Sequence, residues 1–512
     1  MTETDTLIEP NSKQEKKQSS FEELISKFKA ALKTVYHDEN DINQMSTSRG
    51  IAPEALKKIL LTNPHTLLIP REYGGGGGSV KDNLILLSAA SYESLPLSLT
   101  LGINCALFLQ PVIKYGQPEA KAPILDRFVN HQNLGGLMIT EPTHGTDALN
   151  MKTSWTESPA HYHLKGTKHW AGLTGQANFW LLTARKQTEN GLLQRDVDMF
   201  VSDNSIASQN IVVEEYFENL GLYQIPYGRN IIDVQIPKNQ KLIPHTSGVH
   251  MMMDLLHRSR LQFPGMTTGF IHRMLDEGLA HCKQRLVGGK SLFLYDHVQH
   301  QLSILQANYT ISSALSAVSV EHADIKNDLN GLGFEANIVK TVATDLMQQS
   351  AQTLVQLVGA AAYKLTHIAG RGTNDSRPFQ IFEGANDILY IQIGESLIKQ
   401  MKNAKMPNLY AYLKSLKLTS RAAEYFKTEL KFDLEQQLQQ RKVMELGYII
   451  SRIAAMDLVI KMGDKGFRAD MINGAVSILG QEIVGKLSSL GFKQATTVVD
   501  DYYENSQWLN FI

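Results

Sequence analysis

The sequence predicts a mainly helical α+β protein: a helical region, a small middle β-domain, a helical bundle and an appended helical region. Two changes in the hydrophobic period predict this order. Apolar residues recur three or four apart from Phe21 to about Asn133, which is typical of amphipathic helices. The period becomes two between Gly135 and about Ile243, and helical spacing returns from His250 to Asn403. At 512 residues the chain exceeds one ordinary core, so roughly two to four domains are expected.

The period changes divide the chain into five segments. The first is polar and has no apolar stretch, so we expect a disordered lead-in that is neither a secretory signal nor an anchor. The last contains FDLEQQLQQRKVMELGYIISRIAAMDLVIKMG, which predicts one long helix beginning at Phe432. The predicted lead-in, N-terminal helical domain, middle β-domain, C-terminal helical bundle and appended helical domain comprise residues 1–20, 21–134, 135–243, 244–403 and 404–512.

Two features of the N-terminal region argue against other classes of protein. The five glycines at 74–78 are not followed by Lys-Ser/Thr, so they predict a flexible turn and not a phosphate-binding loop. The most apolar window, Pro96–Ile113, is interrupted by Asn104 and Gln110. This window therefore predicts a buried core helix and no transmembrane segment.

Charge and cysteine content restrict the partners and the compartment. Lys and Arg number 50 against 51 Asp and Glu, so the net charge of −1 creates no field that attracts nucleic acid or an anionic membrane. Cys105 and Cys282 are far apart and predict small buried thiols in a reducing compartment, hence a cytoplasmic protein. Two pairs of nearby histidines lack a third ligand, so no metal site is expected.

The middle domain contains a block of residues suited to a cofactor. Residues 139–147 read ITEPTHGTD, and residues 166–170 read GTKHW, which predicts a strand that includes Trp170 ahead of a second apolar strand. The hydroxyls of Thr140 and Thr146 could meet the polar edge of one flat aromatic cofactor, with the indole of Trp170 against its face. The same pattern is compatible with a β-meander that has glycine-rich turns.

A second candidate residue, Glu383, lies at an aromatic–glycine junction before a helix predicted to begin near Asn386. A carboxyl group in apolar surroundings has a raised pKa and can act as a base of useful strength. The free N–H groups at the helix start would favour an anionic ligand such as pyrophosphate. A helix-capping glutamate would give the same local pattern.

These segments, together with others in the same order, resemble the acyl-CoA dehydrogenase family over roughly residues 45 to 403. The resemblance is carried by LLIPREYGG, ITEPTHGTD, GTKHW, IIDVQIPKNQ, the helix expected to run from Arg260 to Arg285, and QIFEGANDI. It implies an N-terminal helical domain, a β-barrel-like middle domain and a C-terminal four-helix bundle. It also implies FAD as cofactor, an acyl-CoA as substrate and an electron-transfer flavoprotein as electron acceptor.

The resemblance also assigns roles to individual residues. Glu383 becomes the base that removes the α-proton of an acyl-CoA thioester, giving a trans-2-enoyl-CoA. One branch of the family carries its base before the arginine instead, and Ser259 at that position leaves the role to Glu383. The implied acyl-CoA contacts are Thr146, Arg260 and Gly384. The implied cofactor contacts are Leu137, Ile139, Thr140, Thr146, Trp170, Gly172, Ala385 and Asp387, with Arg285, Gln356 and Gly359 reaching FAD in a neighbouring subunit of a homodimer or homotetramer.

Departures from the family pattern leave alternatives open. The family's hydroxyl residue after the tryptophan is replaced at Gly172, which resembles acyl-CoA oxidases, and Ala385 stands where a threonine is usual. The alternatives are an acyl-CoA oxidase or flavin monooxygenase on the same scaffold, or a non-catalytic acyl-CoA-binding relative. The placement of the appended domain resembles long-chain members and suggests a long-chain substrate, whereas the alternative interpretation is a cover within an oligomer that has no role in the chemistry.

Overall fold

The protein is described by a computed structural model covering residues 21–434, 438–490, 498–500 and 508–512. The predicted lead-in at 1–20 lies outside the described residues. The N-terminal region is helical, as expected. Its helices are α1 (Phe21–Lys33), α2 (Ile42–Met45), α3 (Pro53–Leu60), α4 (Val80–Glu93), α5 (Leu95–Gly102), α6 (Gln110–Tyr115) and α7 (Pro118–His131).

Local chemistry sets where α4 and α5 begin. Ser79 and Asp82 form a reciprocal capping box at the start of α4, and the Ser94 side chain accepts the Leu97 N–H to cap α5. A π-helical turn, Ile103–Leu109, joins α5 to α6, so that Leu95–Tyr115 is one helical segment. The segment is apolar and long enough to cross a membrane, but 89% of its apolar window is buried inside the protein. The prediction of a core helix is confirmed.

The middle domain is a curled, mixed seven-stranded sheet in the order β1-β4-β2-β3-β7-β6, with β5 also paired to β4. The β1–β4 and β2–β4 pairs are parallel and the other pairs are antiparallel. The predicted change to a period of two is therefore confirmed. The strands are β1 (Gly135–Met138), β2 (Ser154–Glu157), β3 (His161–His169), β4 (Phe179–Lys186), β5 (Asp198–Asp203), β6 (Val212–Tyr216) and β7 (Gly228–Pro237).

The C-terminal region is a bundle of long helices, and a small hairpin follows its second helix. Its elements are α8 (Gly248–Arg260), α9 (Phe263–Gln284), β8 (Leu286–Val287), β9 (Lys290–Ser291), α10 (Asp296–His322), α11 (Gly333–Val358), α12 (Ile368–Ser376) and α13 (Asn386–Ala404). Helices α4 and α9 pack closely because α9 presents glycines: a Cβ on Gly269 would lie 1.9 Å from the Ser88 carbonyl oxygen. The N-terminal region is thereby fixed against the bundle.

The prediction that a helix begins at Arg260 is wrong. Arg260 is the last residue of α8, and α9 begins at Phe263. Pro264, in the first turn of α9, cannot donate a backbone hydrogen bond and its ring would clash with the carbonyl of Arg260 in a continuous helix. The break turns the chain and places Arg260 at the end of one helix, facing the loop that carries Glu383.

The appended region is helical and packs on the bundle. It contains α14 (Leu409–Ser415), α15 (Gln440–Asp464) and α16 (Ala469–Leu490). The predicted start of the long helix at Phe432 is wrong, because residues 432–434 bond to the chain at 407–409: Leu409 N–H donates to Phe432 O and Leu434 N–H to Pro407 O. Residues 435–437 of that prediction lie outside the described residues.

Candidate active site

Glu383 occupies a short loop, residues 381–385, that leads directly into α13. The predicted helix start at Asn386 is confirmed. Glu383 has a left-handed backbone with φ 55°, and Gly384 follows with φ 96°. A left-handed conformation is costly for a residue with a side chain, so the surrounding contacts must hold the loop in this shape.

The Glu383 carboxyl group is buried and has one hydrogen-bond partner among the described residues. Its Oε1 accepts the Ser259 hydroxyl at 2.7 Å, while its Oε2 is buried without a partner. Burial raises the pKa of Glu383, against the lowering effects of the Ser259 hydrogen bond and of the Arg260 and Lys340 charges. The unpartnered oxygen can therefore receive a proton from a ligand placed beside it.

Two buried cations hold the backbone of this loop. Arg260 donates from Nε and Nη2 to the Glu383 carbonyl oxygen, at 3.0 and 2.8 Å, and from Nη1 to Asn337 Oδ1 at 2.7 Å. Lys340 donates to the Gly384 carbonyl oxygen at 2.9 Å and to Asn386 Oδ1 at 2.7 Å. Burial lowers the pKa of Lys340 to about 7. Arg260 and Gly384, expected to contact acyl-CoA, thus lie beside Glu383.

Trp170 lies at the other part of the candidate site, and its predicted place in a strand is wrong. Strand β3 ends at His169, and Trp170 has a left-handed φ of 54° because its N–H bonds to Gly228 O on β7 while the chain turns. Its indole packs on Phe217 with centroids 4.6 Å apart. It remains 54% exposed, so one face of a large aromatic ring is available to a ligand.

The block at 139–147 lies next to Trp170. The Thr140 carbonyl oxygen accepts the His169 N–H at 2.8 Å, which joins the end of β1 to the end of β3. Leu137, Ile139 and Thr140 are half-buried along this edge, whereas Thr146 is exposed in the loop beyond it. The edge and the indole together form an open wall suited to a flat cofactor with one polar edge.

A buried ion pair missed by sequence reasoning anchors this wall. Lys168 Nζ donates to Glu141 Oε1 at 3.1 Å, to Ile139 O at 3.0 Å and to Thr183 Oγ1 at 3.1 Å. Burial lowers the pKa of Lys168 to about 8. Glu141 also accepts the Thr153 N–H at 2.8 Å. Both residues lie inside the motifs quoted above, but their pairing depends on the contact between separate strands and gives no local signal.

The π-helical turn connects the two parts of the site. Gln262 donates to the Gly102 carbonyl oxygen at 3.1 Å and to Ser259 Oγ at 3.4 Å, next to Glu383. On the other side, a Cβ on Gly172 would lie 2.9 Å from Ile103 Cδ1 and 3.5 Å from Tyr227. Gly172 therefore packs against the helical segment Leu95–Tyr115, and Gln262 links the same segment to Ser259. π-Helical turns inside helices often occur at functional sites.

Three of the predicted cofactor residues lie elsewhere. Arg285 is exposed just after α9, and Gln356 and Gly359 are exposed at the end of α11. Phe263, at the start of α9, packs near Phe382 with ring centroids 6.1 Å apart. Because α9 has 22 residues, its far end is about 33 Å away. Arg285 therefore lies far from the loop that carries Glu383 within one chain.

The remaining predicted residues border the helix start. Ala385 is the N-cap of α13 and has no side-chain hydrogen bond, and Asp387 is an exposed residue in the first turn. A negative side chain at this place stabilises the helix by complementing its dipole. The described contacts give Asp387 this role and leave its predicted contact with a cofactor as a prediction.

A cavity of about 1470 Å³ lies apart from these residues. It is bordered by α4, α9, α10 and the appended region, through residues that include Leu84, Thr268, Ala317 and Met462. None of its lining residues is Glu383, Ser259 or Trp170.

Comparison with known proteins places the N-terminal region, the middle domain and the C-terminal bundle in one family. The sequence matches the family models described as acyl-CoA dehydrogenase N-terminal domain over residues 17–132, middle domain over 136–234 and C-terminal domain over 246–398. An acyl-CoA dehydrogenase of Bacillus subtilis strain 168 is 24% identical over 331 residues, 64% of this chain and 86% of that protein.

Two further relatives differ in how much of each chain is shared. The mouse mitochondrial very long-chain specific acyl-CoA dehydrogenase is 23% identical over 69% of this chain, which spans 54% of that protein. The crystal structure of an acyl-CoA dehydrogenase complexed with FAD from Bacillus anthracis has a TM-score of 0.75 at 16% identity. It covers 92% of this chain and 87% of its own, so the shared fold extends into the appended region.

Proposed function

Because the chain belongs to the acyl-CoA dehydrogenase family, we propose that it catalyses α,β-dehydrogenation of an acyl-CoA thioester to a trans-2-enoyl-CoA. The family makes it an oxidoreductase and FAD its cofactor. The observation that supports the reaction is the buried Glu383 carboxyl group with one unpartnered oxygen. A non-catalytic relative would have no use for a costly buried carboxylate on a left-handed residue.

The residues near Trp170 fit FAD. The half-exposed indole, the backbone edge around Thr140 and the rigid Lys168–Glu141 pair would hold its flat ring system. When bound, FAD supplies an acceptor for the hydride that leaves the β-carbon. Arg285, Gln356 and Gly359 would contact the cofactor of a second copy, so we also propose a homo-oligomer, a homodimer or homotetramer.

Glu383 would remove the α-proton through Oε2. The raised pKa of this carboxyl group makes it a stronger base than an exposed glutamate, and Ser259 orients it by bonding the other oxygen. Arg260 holds the carbonyl group of Glu383, and Lys340 holds the carbonyl group of Gly384. The Arg260 guanidinium is thereby fixed beside Glu383, where its positive charge would favour the negative charge that develops on a thioester during proton removal.

The electron acceptor distinguishes two versions of this function. We propose an electron-transfer flavoprotein as the acceptor, as in a dehydrogenase. The second candidate is an oxidase, favoured by Gly172, where the family's usual hydroxyl is absent and the nearest atom to an added Cβ is Ile103 Cδ1. Neither version of the function depends on a particular acyl chain length or on a particular location. We propose a cytoplasmic location because the two cysteines are free.

The test uses purified protein with its bound flavin and acyl-CoAs of graded chain length under anaerobic conditions. Bleaching of the flavin supports the reaction, and slow return of colour in air supports the dehydrogenase. Rapid return of colour with peroxide release would replace it by the oxidase. Flavin that no acyl-CoA bleaches would contradict both.

Substitution of Glu383 by Gln tests the base. Glu383→Gln should keep FAD and acyl-CoA binding and lose bleaching, while Glu395→Gln, an exposed position on α13, should bleach normally. The raised pKa of Glu383 means that its charge costs stability as pH rises through the folded pKa, so the Gln variant should also melt higher at neutral pH and lose this advantage in acid. Normal bleaching by the variant would disprove the assignment.

A further inference from the structure

The loop that carries Glu383 is clamped at both ends by one carboxylate on α11. Asp345 Oδ1 accepts Gln380 Nε2 and Asn386 Nδ2, both at 2.7 Å, so it ties the residue before the loop to the residue after it. Asp345 Oδ2 accepts the Tyr390 hydroxyl at 2.5 Å, one turn further along α13. Asn386 in turn accepts from Lys340, which holds Gly384.

This carboxylate is neutralised from the appended region. Arg452, on α15, donates from Nη2 to Asp345 Oδ2 at 2.9 Å and from Nη1 to the Tyr390 hydroxyl at 3.1 Å. The Arg452 side chain is 3% exposed and that of Asp345 is 19% exposed. Burial opposes ionisation of Asp345, but the Arg452 charge and the hydrogen bonds from Tyr390, Arg452 and Gln380 hold its pKa below the usual value.

The appended region cannot shift easily relative to the bundle. A Cβ on Gly447 of α15 would lie 1.9 Å from the Tyr390 carbonyl oxygen, and a Cβ on Gly394 of α13 would lie 2.3 Å from Val443 O. The two helix backbones therefore touch through paired glycines. On its other side Arg452 Nε donates to Glu482 of α16 at 3.1 Å. The guanidinium is consequently fixed by partners on α11, α13 and α16.

We infer that Arg452 is a positioning residue, which holds the Glu383 loop in its reactive shape by acting through Asp345. This inference rests on the proposed function and gives the appended domain a part in the reaction. Without Arg452, Asp345 would be a partly buried carboxylate with neutral partners only, and would attract water or take up a proton. Either change weakens the clamp on Gln380 and Asn386, and the loop between them loses its left-handed turn.

The experiment compares Arg452→Gln with Lys442→Gln in the full chain containing FAD. Lys442 is a matched control on α15, since it ties α15 to the end of α16 through Ser489 O and Leu490 O and does not contact Asp345. Arg452→Gln should slow flavin reduction at saturating acyl-CoA about tenfold or more, because small displacements of a reacting group are costly. FAD content and the half-saturating substrate concentration should stay near the wild-type values, and Lys442→Gln should leave all three unchanged.

A coupling measurement separates positioning from general stability. If Arg452 acts through Asp345, the double variant Asp345→Asn with Arg452→Gln should be no slower than the slower single variant, and Arg452→Lys should recover part of the rate. The inference would be overturned if the rate losses of Asp345→Asn and Arg452→Gln multiplied in the double variant. It would also be overturned if Arg452→Gln had a lower melting temperature but an unchanged rate of flavin reduction. If Arg452→Gln does not fold, Arg452→Lys and Asp345→Asn carry the same comparison.

Hydrogen exchange of the backbone at 381–386 gives a readout that needs no reaction. Exchange there should become faster in Arg452→Gln and remain unchanged in Lys442→Gln. Faster exchange in a protein that no acyl-CoA reduces would refute the proposed function and keep the clamp. Unchanged exchange in Arg452→Gln, while the wild-type enzyme reduces its flavin normally, would refute the clamp alone.

Discussion

Removal of the Ser259 hydroxyl should weaken the proposed base in acid solution. Ser259 donates to Glu383 Oε1 at 2.7 Å, and this bond stabilises the charged carboxylate more than the neutral acid. A hydrogen bond to a charged group contributes about 1.5–3 kcal/mol and one to a neutral group about 0.5–1.5 kcal/mol, a difference of about 1–1.5 kcal/mol. Since about 1.4 kcal/mol is a factor of ten, Ser259→Ala should lower the carboxylate fraction about five- to twelvefold below the pKa.

The assay is the rate of anaerobic flavin reduction by acyl-CoA as a function of pH. The acid limb of the profile should move to higher pH in Ser259→Ala, because the pKa of Glu383 is raised further, while the plateau at high pH stays close to wild type. Ser312→Ala is the control: it removes a buried hydroxyl bonded to Thr267 Oγ1 at 2.6 Å, away from Glu383. A lower plateau with an unmoved acid limb would show that Ser259 acts by packing and refute the electrostatic reasoning.

Two other substitutions test the supports of the site. Gly384→Ala should cost about 1–3 kcal/mol of unfolding free energy and slow flavin reduction, because φ is 96° and the new Cβ would lie 2.9 Å from Leu389 Cδ2. The control in thermal melts is Gly145→Ala, where the new Cβ would have no described atom within 4 Å. Equal melting temperatures for the two variants would contradict the strain at Gly384. Lys168→Met should cost about 3–5 kcal/mol in denaturant unfolding by leaving Glu141 buried and unpaired, and adding Glu141→Gln should recover part of the loss. If the stability losses of Lys168→Met and Glu141→Gln simply added in the double variant, the two residues would not stabilise the protein as a pair.

Local periodicity was sufficient to predict the order of helices, sheet and bundle. The period of two anticipated β3, β4, β5 and β7, and the three-and-four spacing anticipated α9, α10 and α11. The errors occur where a distant contact decides the outcome. Residues 432–434 pair with 407–409 and do not extend α15, and Pro264 separates α8 from α9.

In the candidate site too, local motifs were predictable from the sequence and distant contacts were not. The sequence indicated Glu383 and Trp170, because each lies in a recognisable motif. It gave no sign that Ser259 would donate to Glu383, that Lys340 would hold Gly384, or that both Trp170 and Glu383 would have left-handed backbones. These properties arise from contacts between residues more than forty positions apart, which no short window of sequence contains.

The Lys168–Glu141 pair has a consequence for how the protein acquires its cofactor. Because both charges are buried among β1, β3 and β4, they must lose their water as the sheet assembles, before any ligand can use the wall they support. The wall is thus held by contacts within the protein itself. Newly made chains would then present a rigid receptor to the cofactor, and loss of FAD would leave its half of the site standing for reloading.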